Sequence, residues 1–136
     1  MIDLRAPYNM DINFIYDSWL HNYRKSPSST HIHSNTYYPE QRQIIEDLLL
    51  TASTIVACNP DNDEQIYGYI VFKRPNTLHY VLVKHIYRRM GVCRKLMEAA
   101  FPEAILNDKP IYATHSTTKL RRLSTPFHVI YDERLL

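Results

Sequence analysis

The sequence predicts an α+β domain on a mixed sheet, its elements running β-α-α-β-β-β-α-β-α-β. Three observations predict it. Segments with helical periodicity are separated by short runs rich in β-branched and aromatic residues. Two such runs, Thr54 to Cys58 and Gln65 to Lys73, flank the turn cluster Asn59-Pro60-Asp61-Asn62-Asp63, so they read as an antiparallel hairpin. A third run, Leu78 to Lys84, passes through a basic loop and a glycine into an amphipathic helix. At 136 residues the chain is one domain, 1–136, and its 45% apolar content is enough for a core.

Met1 to Ala6 can form a first strand with Ile2 and Leu4 on one face, ended by Pro7. Asn9 or Asp11 can cap a helix reaching about Tyr23, with Ile12, Ile15, Trp19 and Tyr23 as its buried stripe. Arg24 to Thr30 is a loop by composition. His31 and His33 follow; alternate histidines could share a metal, but no Cys or acidic residue nearby completes a set, and no metal is expected. Pro39 suits the first position of the second helix, with Glu40 in its first turn and Ile44, Ile45, Leu48 and Leu49 buried. After the hairpin, Arg74-Pro75-Asn76 turns the chain into the central strand at Thr77.

The stretch from Leu78 to Met97 organises the rest. Val92, Leu96 and Ala100 fall on one helical face with Cys93 and Met97 beside them, and Arg94, Lys95 and Glu98 face away. Met90 and Gly91 hold the cap positions, so no acidic or hydroxyl side chain satisfies the first-turn N–H groups. Those groups, the helix dipole and the charges of Arg88 and Arg89 make an anion site that suits a pyrophosphate. Pro102 stops the helix, Asn107 to Pro110 is a loop, and Ile111 to Thr114 is a strand. Thr117 to Leu123 reads as a short basic helix broken by Pro126, and Phe127 to Tyr131 as the last strand.

Arg88-Arg89-Met90-Gly91-Val92-Cys93 resembles the acyl-CoA-binding signature of the Gcn5-related N-acetyltransferases, Gln/Arg-x-x-Gly-x-Gly/Ala. Cys93 departs from it by standing where that family has Gly or Ala. The element order is similar to that family over nearly the full length. The resemblance implies a mostly antiparallel mixed sheet with helices on both faces, acetyl-CoA or another acyl-CoA as co-substrate, and an amine acceptor. It implies a cofactor site of Arg88, Arg89, Met90, Gly91, Val92, Cys93 and Arg94, with backbone near Leu82 and Val83 along the pantetheine arm.

Such a reaction needs a base for the attacking amine and an acid for the leaving thiolate. The family often has a Glu early in the central strand and a Tyr after the fifth; this chain has neither at the matching places. His79 is the candidate base, since an imidazole of pKa about 6.5 suits neutrality. His115 or Ser116 can stand in for the acid, although Ser116 and Thr117 equally suit a helix cap. Cys93 is a further thiol at a helix start, with packing as its simpler role.

A formal net charge of +2 argues against a protein that coats nucleic acid. Cys58 and Cys93 have no CxxC spacing and no signal peptide is read, so a reduced, cytoplasmic protein is expected. No apolar run approaches the roughly 20 residues of a membrane helix. The chain is also similar to short acetyltransferase-like proteins of tailed phages. That likeness implies host cytoplasm and opens two alternatives. One is a base-modifying enzyme whose phosphate contacts come from Arg74, Lys119, Arg121 and Arg122. The other is a non-catalytic or virion-associated scaffold, in which Tyr87, Met90 or Arg94 would fill the cleft.

Overall fold

The computed structural model describes residues 1–25, 32–115 and 127–135. Within them, six strands form one sheet in the order β1-β2-β3-β4-β5-β6. They are β1 (Asp3–Arg5), β2 (Ser53–Asn59), β3 (Asn62–Lys73), β4 (Thr77–Val83), β5 (Ile111–Ala113) and β6 (Val129–Tyr131). The first four are antiparallel, whereas β4–β5 and β5–β6 are parallel. The expected hairpin is β2–β3, closed by a tight turn in which Asn59 Oδ1 accepts the Asp61 N–H at 2.9 Å.

The sheet is covered on both faces. Helices α1 (Asn9–Arg24) and α2 (Ser34–Thr51) bury Ile15, Trp19, Leu20, Tyr37, Ile45 and Leu48 against Val56, Tyr69, Tyr80 and Leu82. Helices α3 (Val92–Ala100) and α4 (Pro102–Leu106) bury Val92, Leu96, Met97, Ala100 and Ala104 against Ala57, Ile70, Phe72 and Val83. The stripe expected for α3 is the one observed.

Several boundaries differ from expectation. Helix α2 starts at Ser34, five residues before Pro39, which therefore lies inside the helix; His33 is its N-cap and its Nδ1 accepts the Asn35 N–H at 3.1 Å. Neither Asn9 nor Asp11 is the cap of α1. Tyr8 holds that position, and Asp11 reaches back from the third helical residue to accept the Tyr8 N–H at 2.6 Å. Asp11 is also buried in an ion pair with Arg5 at 2.6 Å, and this places Ile12 on the exposed side instead of in the stripe. Pro102 ends α3 but opens α4, where its missing N–H costs nothing. Tyr23, Tyr37, Tyr67, Tyr69 and Tyr80 belong to the core. His31, Ser116, the helix expected over 117–123 with Lys119, Arg121 and Arg122, and Pro126 lie outside the described residues.

Gly68 explains how β3 and β4 meet. A Cβ there would sit 2.3 Å from the Leu82 carbonyl oxygen, closer than atoms can approach. It lies at an irregularity where Ala57 pairs with Gly68 but Cys58 pairs with Ile66, and the skipped Tyr67 accepts the Lys84 N–H at 2.9 Å. Glycine thus lets the end of β4 lie flush against β3, immediately before the basic loop.

Candidate active site

Beyond β4 the chain makes a 3-10 turn, His85–Tyr87, and then the loop entering α3. The turn is pinned to β3: Gln65 Nε2 donates to the Tyr87 hydroxyl at 2.5 Å, and the Tyr67 and Tyr87 rings lie 4.3 Å apart. Arg89 and Gly91 both adopt left-handed backbone, at φ 66° and 82°. For Gly91 this is free; for Arg89 it is a strained conformation of the kind retained at binding sites. The first helical N–H with a backbone acceptor is that of Lys95, which donates to Gly91 O at 3.0 Å. Among the described residues, the N–H groups of Arg89, Met90, Gly91, Val92 and Arg94 have no backbone acceptor outside the regular helix bonding.

Arg89, Gly91, Val92 and Arg94 border a cavity of about 630 Å³, lined also by Val81, Val83, His85, Tyr87, Arg88 and Cys93. None of its lining residues is acidic. Seven of the residues singled out by the signature therefore meet at one concavity. Leu82 points the other way, into the α1–α2 layer, so its side chain lies outside the lining. Met90 is half exposed and also outside it. Val81, His85 and Tyr87 are lining residues that the signature does not name. Val81 is legible from alternation, since it shares a strand face with Val83.

Val81 and Val83 in the cavity wall belong to the stretch of β4 that lies beyond a fork in the sheet. Strand β4 pairs with β5 only at Thr77↔Tyr112 and Leu78↔Ala113, and the Thr114 N–H adds one last bond to Leu78 O at 2.9 Å. From His79 to Val83, β4 has no strand partner on that side among the described residues. His79 is the extra residue of a bulge, because Leu78 pairs with Phe72 and Tyr80 with Val71.

At the apex, His79 Nδ1 and His115 Nδ1 each lie 3.0 Å from Thr114 Oγ1. All three residues are buried, at 4%, 4% and 2% exposure for His79, His115 and Thr114. Burial, and secondarily the Lys73 charge, lowers the His79 pKa to about 4. Burial, and then neighbouring His79, lowers that of His115 to about 3, the His79 backbone acting weakly the other way. Both imidazoles are therefore neutral at pH 7. His115 packs edge-on to Trp19 and Tyr23, with ring centres 5.3 and 4.8 Å away.

A pH dependence of stability follows. In the unfolded chain both histidines bind a proton near pH 6.5, whereas in the fold they do so only below about 4 and 3. Between these limits the unfolded state holds more protons, so stability is full above pH 6.5 and falls as pH drops. Urea titrations at pH 7.5 and 4.5 should show the loss, and His79→Gln/His115→Gln should flatten it.

Among the described residues no group of three or more His, Cys, Asp or Glu could hold a metal, and no helix is long and apolar enough to cross a membrane.

Comparison with solved structures shows the same fold. The chain is similar to a protein from Corynebacterium glutamicum described as histone acetyltransferase HPA2 and related acetyltransferase, at TM-score 0.58 and 14% identity, covering 76% of this chain and 71% of that one. A putative acetyl transferase from Pyrococcus furiosus gives TM-score 0.57 at 15% identity, covering 80% and 78%. Apo YjaB from Escherichia coli gives 0.55 at 20%, covering 76% and 68%. At these identities the likeness concerns the fold alone. No curated protein sequence matches. The profile of the acetyltransferase (GNAT) family matches residues 13–122, most of the chain, including the basic loop, the helix it opens and the forked strands. The chain belongs to the acetyltransferase (GNAT) family.

Proposed function

We propose that this protein is an acyl-CoA-dependent N-acyltransferase that moves an acetyl or similar acyl group from CoA to an amine. The observation that carries the reading is the basic cavity at the start of α3, continuous with the unpaired edge of β4. The N–H groups of Arg89, Met90, Gly91, Val92 and Arg94 suit pyrophosphate oxygens, and Arg88, Arg89 and Arg94 supply charge. The helix dipole adds only about 0.3–1 kcal/mol at an exposed site, so these hydrogen bonds and charges must supply most of the affinity. The β4 edge from His79 to Val83 suits the amides of a pantetheine arm, as a sheet edge suits an added strand. That path brings a thioester towards His79, the candidate base, with His115 as candidate acid; Ser116, the other candidate, lies outside the described residues.

A scaffold would fill this cleft. Instead Tyr87 is tied back to Gln65, Met90 stands half in solvent and Arg94 reaches Glu98 at 3.7 Å, which leaves the cavity open. A base-modifying enzyme draws no support from Arg74, whose guanidinium caps α3 by donating to the Ala99 and Ala100 carbonyls at 3.0 and 3.1 Å.

The test is release of CoA thiol from acetyl-CoA with a panel of polyamines, amino acids, aminoglycosides, lysine peptides and aminated nucleosides. The reading predicts acceptor-dependent release with at least one class. Absence of release across the panel, together with absence of acetyl-CoA binding, would refute it.

A further inference from the structure

We propose that Thr114 joins His79 and His115 into one proton-transfer unit at the fork of β4 and β5, and that this unit takes the proton of the attacking amine. The proposal rests on the acyltransferase reading above. In this unit Oγ1 accepts the N–H of His79 Nδ1 and donates its one proton to His115 Nδ1. The two neutral imidazoles therefore hold opposite tautomers. Passing a proton from His79 Nδ1 across Thr114 to His115 Nδ1 accompanies uptake of a second proton at His79 Nε2, and it moves no ring.

The backbone fixes this arrangement. Thr114 follows the last residue of β5 and is bonded to Leu78 O, the final link before the strands part, while His79 is the bulged residue of β4. On the side away from Thr114, His115 Nε2 is buried without a hydrogen-bond partner among the described residues. The His115 ring packs against those of Trp19, Tyr23 and Tyr80. No carboxylate among the described residues bonds to any of the three groups. The nearby charge is Lys73, and it disfavours protonation of His79.

In the reaction, the amine nitrogen attacks the thioester carbon and a C–N bond forms. The amine proton passes to the free nitrogen of His79. His79 hands its Nδ1 proton to Thr114 Oγ1, and the Thr114 proton moves to His115 Nδ1. The positive charge then rests on His115. As the C–S bond breaks and sulphur takes the electron pair, the transfers reverse and His79 protonates the thiolate. The products are amide and CoA thiol, with no further reactant. His79 is the catalytic residue here, while Thr114 and His115 are positioning residues acting through it.

The experiment compares wild type, Thr114→Val and Thr114→Ser. It uses calorimetric binding of acetyl-CoA, CoA-thiol release with hydroxylamine as a small probe amine, and imidazole ¹⁵N shifts. The wild type should show opposite tautomers for His79 and His115. Thr114→Val should bind acetyl-CoA within threefold of wild type yet lose about 100-fold in kcat, the range of general acid–base contributions. Thr114→Ser should recover to within tenfold. Three results would each overturn the relay: like tautomers in the wild type, unchanged turnover in Thr114→Val, or equal loss in both variants. A wild type that binds acetyl-CoA but leaves hydroxylamine unacylated also overturns it. Failure of the wild type to bind acetyl-CoA removes instead the reading on which the relay rests.

Discussion

Gly91→Glu should reduce acetyl-CoA affinity at least 100-fold while leaving the protein folded. The position has left-handed backbone at φ 82°, and a Cβ there meets nothing within 4 Å. The backbone cost of a side chain is about 1–2 kcal/mol, and no clash adds to it. The new carboxylate would stand at the mouth of the cavity beside the N–H groups of Val92 and Arg94. It gains a little from the helix dipole, so net destabilisation stays small. A phosphate brought to the same N–H groups would meet a like charge. At about 4 Å and surface-like dielectric that repulsion is about 4 kcal/mol, nearly three decades in Kd. Gly91→Ala is the control: it shares the backbone cost, lacks the charge and should keep binding within about tenfold. Equal loss in both variants, measured by calorimetry with circular dichroism to confirm folding, would mean that backbone geometry and not anion binding governs the position.

Gly68→Ala should be the most damaging small change to stability. Its Cβ would lie 2.3 Å from Leu82 O and 3.1 Å from Val83 Cα, both backbone atoms that no rotamer can move aside. Relief requires β3 and β4 to separate, which disturbs the pairing of Gly68 with Val83. The expected cost is about 3 kcal/mol, at the upper end for overpacking because the obstacle is main chain. Urea denaturation measures it as a lower midpoint. The same displacement moves Val83 in the cavity wall, so any folded variant should also bind acetyl-CoA more weakly. A midpoint within 1 M of wild type would show that the strands yield more easily than this contact implies.

The two glycines mark what was legible in the sequence and what was not. Gly91 announces itself because the stripe of α3 begins right after it and two arginines precede it; local periodicity and charge suffice. Gly68 carries no such signal, since its reason is an oxygen fourteen positions away on β4, brought close by pairing alone. The fork follows the same logic. The identities of β4 and β5 are readable from composition, but where their pairing stops is decided by the bulge at His79 and the bond from Thr114 to Leu78. Histidines 79 and 115 draw notice singly as titratable groups. Thr114 does not, because a threonine at the end of a strand is commonplace, and its bridge to His79 spans 35 positions. Helix starts suffered from competing local signals. Pro39 is a favourable first residue, yet His33 caps α2 earlier; Asp11 is a favourable cap, yet Arg5 draws it into a buried pair.

The measurement that tests the central claim most directly is calorimetric titration of acetyl-CoA into the wild-type protein, with ¹H–¹⁵N spectra at its end points. One micromolar site is expected, with amide shifts concentrated from Arg88 to Arg94 and along Val81 to Val83. A folded protein that shows no binding heat and no shift at these amides would contradict it.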